Sequence, residues 1–129
     1  MTSALARQLS NRLDPTLTAA CPIRDVLDRI GDKWSVLIVG HLKEGPVRFG
    51  ALRRGIGDIS QRMLTETLRH LQRDGLLYRK VYPTVPPSVE YGLTDLGQSL
   101  LLPLDKLVEW SAQNHDVLKA ARKEFDQAG

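Results

Sequence analysis

Between Ile59 and Arg73 the chain places Gln61, Arg62, Thr65 and Arg69, whose types and spacing suit hydrogen bonding to base edges and phosphate oxygens. On a helical period they share a polar, basic side with Glu66 and Arg73. Leu64, Leu68 and Leu71 recur at i, i+4 and i+7 on the other side, with Met63 beside them. Ser60, just ahead, is a good N-cap: its hydroxyl can accept from an amide one turn in. Helix N-termini also favour anions, so Ser60 is a phosphate candidate too. Such a helix can rest its apolar side on a core and offer its polar side to a major groove. Arginine grips guanine through two hydrogen bonds and glutamine grips adenine likewise, each pair giving about 1–3 kcal/mol of discrimination. The first turns of a reading helix meet the base edges, which makes Gln61, Arg62 and Thr65 the candidates for direct readout. Arg69, further along, suits a phosphate equally well.

Asp74-Gly75 ends this helix, since glycine takes the left-handed C-cap position cheaply, and a two-stranded ribbon follows. Val89, Tyr91 and Leu93 alternate with Ser88, Glu90 and Gly92, a period of two. Pro83, Pro86 and Pro87 stiffen the tip, where proline is tolerated. Arg79 and Lys80 point to opposite faces of a strand, so one of them is expected to reach nucleic acid. Arg48 precedes the short helix before the reading helix, and Arg53 and Arg54 end it; all three are candidate backbone contacts. Any one of these arginines alone is better explained as a solvated surface charge. Taken together they favour double-stranded DNA as the partner.

The charge distribution agrees. Of 129 residues, 18 are Lys or Arg and 15 are Asp or Glu, for a net charge of +3. Between Lys43 and Tyr91 there are nine basic residues against five acidic ones, whereas residues 92–129 hold four against six. The positive excess therefore lies on the segment with the reading helix and ribbon. With 42% apolar residues and no run near ~18 consecutive apolar positions, the composition is that of one soluble domain, and no membrane span is expected. The N-terminus lacks a signal-peptide pattern, so a cytoplasmic location is expected. One cysteine rules out an intramolecular disulfide and a cysteine-rich zinc site. His41, His70 and His115 have no metal-ligand spacing, with His41 placed near a core face. No metal or cofactor is expected. Nor is an enzyme: paired carboxylates, a nucleophile with its base and a glycine-rich phosphate loop are not seen. A winged-helix protein-interaction module would share the fold, but Gln61, Arg62, Arg69 and Arg73 argue against it.

Three earlier helices must carry the reading helix. Pro22 opens the first, whose apolar set is Ile23, Val26, Leu27 and Ile30. Gly31-Asp32 breaks and recaps the chain. Trp34, Leu37, Ile38 and Leu42 mark the second, which Gly45-Pro46 ends. Phe49, Leu52 and Ile56 mark the third, closed by Gly55 and Gly57. After the ribbon, Thr94 caps a long helix with Leu96, Leu100, Leu104, Leu107 and Val108 on one side. Pro103 predicts a kink there. A last segment with Val117, Leu118, Ala121 and Phe125 has little core left to cover, and pairing with a second chain is the economical explanation. Residues 1–20, with Leu5, Leu9 and Leu13, read either as an amphipathic arm or as a frayed terminus.

In this order and spacing the fragments are specific. Cys21-Pro22-Ile23, Gly31-Asp32-Lys33-Trp34 and Arg48-Phe49 come first, followed by Ile59 to Leu64 and Asp74-Gly75-Leu76. Pro86 to Thr94, Gly97 and Trp110 complete the set. From Cys21 to about Leu118 the chain resembles the HxlR family of bacterial winged-helix transcription regulators, relatives of the MarR group. The resemblance implies a mainly α fold with a small β-wing, a winged helix-turn-helix whose N- and C-terminal helices form a dimer interface. It divides the chain into an arm (1–20), the winged-helix domain (21–119) and a C-terminal dimerisation helix and tail (114–129). It implies a homodimer on a roughly palindromic operator, acting mostly as a repressor, and some relatives respond to small molecules.

Some members use the cysteine at the position of Cys21 to sense electrophiles or oxidants. In this sequence Cys21 sits at the proposed N-cap of the first helix with Arg24 nearby, and both features favour thiolate. Oxidation could then give a sulfenic acid, a mixed disulfide or a link between subunits. The alternative is a ligand-responsive regulator in which Cys21 is only a small structural side chain.

Overall fold

The computed structural model describes residues 22–129. The arm assigned to residues 1–20, and Cys21 with its proposed capping role, lie outside the described residues.

Helix α1 (Pro22–Ile30) ends where the Gly31 amide donates to the Leu27 carbonyl at 2.8 Å. Asp32 then caps α2 (Lys33–His41), accepting from the Ser35 amide at 2.8 Å and its hydroxyl at 3.2 Å. The α2 face that enters the core is Ser35, Ile38, Val39 and Leu42. Leu37, expected on that face, is 42% exposed. At 3.6 residues per turn, the buried stripe through Ser35, Ile38, Val39 and Leu42 puts Leu37 nearly on the opposite side. His41 is exposed too, its ring lying against Gly55 of the next helix rather than in the core.

Strand β1 (Val47–Arg48) leads directly into α3 (Phe49–Ile56), whose Leu52 is buried. Gly57 turns the chain at φ 97°, a conformation that favours glycine. Ile59 is buried just before α4 (Gln61–Arg73) begins. Strands β2 (Leu77–Tyr82) and β3 (Ser88–Leu93) form the wing, pairing antiparallel from Leu77↔Leu93 to Tyr82↔Ser88. The sheet has three strands in the order β1-β3-β2, not the two expected, because Val47↔Tyr91 and Arg48↔Glu90 pair as well. A two-residue strand is too short to leave a periodic signal. Gly92 is where Tyr78 crosses the sheet: an added Cβ would lie 2.3 Å from the phenol ring.

Helix α5 (Asp95–Ala128) runs 34 residues without interruption, so Pro103 does not end it and Val117–Phe125 belongs to the same helix. Leu100, Leu101 and Leu104 pack against the core on either side of the proline, holding the helical path through the lost hydrogen bond. The core joins α2, α3, α4 and the base of the wing: Ile38, Val39, Leu42, Leu52, Ile59, Leu64, Leu68, Leu71, Leu77, Tyr91 and Leu93. Among the described residues no helix is long and apolar enough to cross a membrane.

Candidate nucleic-acid interface

Helix α4 divides cleanly along its length. Leu64, Thr67, Leu68 and Leu71 are buried, while Gln61, Arg62, Thr65, Glu66, Arg69 and Arg73 are exposed. Met63, expected to face inward, is 40% exposed. Thr67 takes the inward place, i+3 from Leu64 and i−4 from Leu71. Its hydroxyl is satisfied by donating to the Met63 carbonyl at 2.7 Å, which is how a polar side chain tolerates burial. The Ser60 hydroxyl accepts from the Met63 amide at 3.0 Å, as the sequence predicts for an N-cap.

On the exposed side, Arg62 Nε donates to Glu66 Oε1 at 3.2 Å, and the Arg62 side chain is 88% exposed. That contact occupies the inner edge of the guanidinium and leaves both terminal nitrogens facing solvent. An exposed i, i+4 pair adds only about 0.3–0.5 kcal/mol of stability, so its consequence lies in orientation. Sequence reasoning did not join Glu66 to Arg62, although the i, i+4 spacing was visible. Thr65 donates to the Gln61 carbonyl at 2.8 Å, which commits its proton and leaves its methyl and acceptor lone pair outward.

Around α4 stand the other cations. Arg53 is exposed near the end of α3, and Arg48 is exposed at its start. Arg54 lies back along its own helix, a terminal nitrogen only 3.3 Å from where a Cβ on Gly50 would be. An open cleft of about 480 Å³ between α3 and the wing is lined by Arg48, Arg54, Ser88 and Tyr91, with no acidic residue in its wall. On the wing, strand register puts Arg79 opposite Tyr91 and Lys80 opposite Glu90, on alternate faces as predicted. Lys80 Nζ sits 4.9 Å from the Tyr82 ring centroid, and the Tyr82 hydroxyl donates to Glu90 at 3.3 Å. Of the candidate cations, Arg62 alone has a carboxylate partner among the described residues. No group of three or more metal-ligating side chains occurs among those residues.

A short helix, a tight glycine turn, a second helix with an exposed basic side and a following ribbon define a winged helix-turn-helix, a DNA-binding class. Residues 29–119 match the HxlR-like helix-turn-helix family, and the chain belongs to it. The uncharacterized HTH-type transcriptional regulator YybR of Bacillus subtilis is 44% identical over 79% of this chain and 82% of its own length. The uncharacterized regulator YtfH of Escherichia coli is 44% identical over 81% of this chain and 82% of its own. Among solved structures, the redox regulator HypR in its reduced form superposes with a TM-score of 0.73 at 43% identity, covering 77% of this chain and 98% of that one. The chain is a transcriptional regulator with a helix-turn-helix.

Proposed function

We propose that the protein is a sequence-specific DNA-binding regulator that acts as a homodimer on a roughly palindromic operator and represses transcription there. The observation that carries this reading is the exposure of Gln61, Arg62, Thr65 and Arg69 on α4 above a side that is fully buried. Gln61, Arg62 and Thr65 read bases; Ser60, Arg48, Arg53 and Arg69 hold the phosphate backbone. Of the two wing cations, Lys80 is engaged with Tyr82 and opposite an acid, whereas Arg79 faces no carboxylate across the strand and is the freer to reach DNA. Dimerisation is supported by the exposed apolar residues Leu107, Val108, Trp110, Val117 and Phe125 on α5 and by Ile23, Val26 and Leu27 on α1. Selection of bound duplexes from a random pool, followed by titration against the selected site, tests the reading. A purified protein that retains no duplex at low salt overturns it.

For the signal, redox or electrophile sensing at Cys21 is supported by the similarity to HypR, described as a redox regulator. A ligand-responsive regulator is favoured instead by a cleft of about 360 Å³ among α1, the end of α4 and α5, with Val26, Ile30, Leu76, Leu96 and Leu100 in its wall. Operator affinity before and after diamide, in the native chain and in Cys21→Ser, separates them. Affinity that changes only in the native chain assigns the sensor to the thiol.

A further inference from the structure

We propose that Thr94 and Gly97 are positioning residues for operator spacing: they weld the end of the reading helix to the start of α5 and so fix the separation of the two reading heads. The inference rests on the dimeric DNA-binding reading above.

Helix α4 ends in a turn that closes on itself. The Gly75 amide donates to the Gln72 carbonyl at 3.0 Å and the Leu76 amide to the Leu71 carbonyl at 3.0 Å, with Gly75 at φ 78°. The closed turn leaves the carbonyls of Gly75 and Leu76 without a helical partner, and Thr94 takes both. Its hydroxyl donates to Gly75, and its amide donates to Leu76 at 3.1 Å. The same hydroxyl oxygen accepts from the Gly97 amide at 3.1 Å, starting α5. One side chain therefore ties the turn that follows the reading helix to the first turn of the long one.

Gly97 makes the join close. It is the buried residue of α5, and a Cβ built there would lie 2.1 Å from the Leu76 carbonyl oxygen and 3.2 Å from Leu93. Any larger side chain must push the first turn of α5 off Leu76 and the base of the wing. Further along, Leu100, Leu101 and Leu104 pack on the core, and Lys43 bonds Asp105 at 3.2 Å. Beyond these contacts α5 projects toward Trp110, Val117 and Phe125, which are exposed.

The helix is thus a lever. At 1.5 Å rise per residue, Gly97 stands ~10 Å from Leu104 and Phe125 ~31 Å beyond it on the other side. A push of ~1 Å at Gly97, pivoting at Leu104, displaces the far end by ~3 Å in each subunit on that geometry. Two such displacements rival the 3.4 Å rise of one base pair, so they change which half-site spacing fits.

The test uses the full chain in a Cys21→Ser, Gln72→Cys background, spin-labelled on the reading helix, with the dimer checked by sedimentation. Pulsed electron resonance gives the distance between heads. Gly97→Ala is expected to shift that distance by several ångströms. On duplexes selected by the unlabelled native protein and rebuilt with spacers of varied length, the same substitution should move the preferred spacer or erase the preference, while binding to a single half-site stays within twofold. Thr94→Val should act likewise and Thr94→Ser should restore native spacing, which keeps the test decisive if Gly97→Ala fails to fold. Native distance and native spacer preference in folded, dimeric Gly97→Ala and Thr94→Val overturn the inference. A chain that stays monomeric, or ignores every duplex, overturns instead the reading on which the inference rests.

Discussion

Helices α4 and α5 both carry apolar residues at helical spacing, and the two apolar faces meet different surroundings. On α4, Leu64, Leu68 and Leu71 are at most 1% exposed, covered by α2, α3 and the wing. On α5 the core is touched only as far as Leu104; Leu107, Trp110, Val117 and Phe125 are 52% to 78% exposed. A helical period identifies an apolar face, but it does not say what lies against that face. For α4 the cover is the same chain, and the side left over is polar and basic. For the distal half of α5 no described residue supplies the cover, which is why a second copy is the proposed occupant. Burial through the chain's own core makes a rigid head, and burial between chains would set two heads in register.

The comparison breaks most visibly if the α5 face is made polar. Leu107→Glu with Trp110→Glu should leave the head folded, since neither residue belongs to the core, yet abolish the dimer by sedimentation. Linked half-sites exceed single ones by about 10²–10⁴ in apparent affinity, and that factor should be lost on a palindromic duplex. A double variant that remains dimeric with native affinity would remove this face from the interface. The matching change on α4 is Leu68→Ala. A fully buried leucine cut to alanine costs about 2–5 kcal/mol, read in urea unfolding, and should weaken all DNA sequences together because the reading helix loses its seat. A cost well under 1 kcal/mol would mean that the core is not organised around α4.

The same contrast explains what the sequence made legible. The caps at Asp32, Ser60 and Thr94, the turns at Gly57 and Gly75 and the α4 stripe were readable because each is written in residues near in sequence, whereas Gly55, expected to close α3, lies inside it. Leu37, Met63 and β1 were misread or missed for a shared reason: their places are set by tertiary neighbours. Leu37 and Met63 are apolar residues that lie off the stripe that packing selects, and Val47-Arg48 becomes a strand only because β3 passes beside it. Pro103 lies inside a helix that continues past it, where leucines on both sides pack against the core. Of the interface, residue types and helix position were visible in sequence. The Arg62–Glu66 contact, the Lys80–Tyr82 cation–π contact and the Thr94–Gly75 weld needed the folded chain.

Within the exposed side of α4, base readout and backbone grip separate at smaller energies. Arg62→Ala should cost about 1–3 kcal/mol on the selected operator and relax preference at one base pair in each half-site. Arg79→Ala should weaken operator and random duplex alike and lower the slope of log K against log salt by about one. Titrations of both variants across salt concentrations check the distinction. Unaltered sequence preference in Arg62→Ala would move direct readout to Gln61 and Thr65.

The smallest effect concerns Glu66, the acid placed on the basic side. Its exposed pair with Arg62 contributes about 0.3–0.5 kcal/mol to folding, so Glu66→Gln should barely move the unfolding midpoint. Two changes in binding should oppose one another. Removing a negative charge from a side that meets phosphates should tighten random duplex, because that binding is electrostatic in origin. Releasing Arg62 Nε from its carboxylate frees the guanidinium to sample other rotamers, so ordering it on a base costs more entropy than before. Specificity, taken as operator affinity over random-duplex affinity, should therefore fall a few-fold, less than in Arg62→Ala. A ratio that stays constant while both affinities rise would reduce Glu66 to a charge, with no part in aiming the arginine.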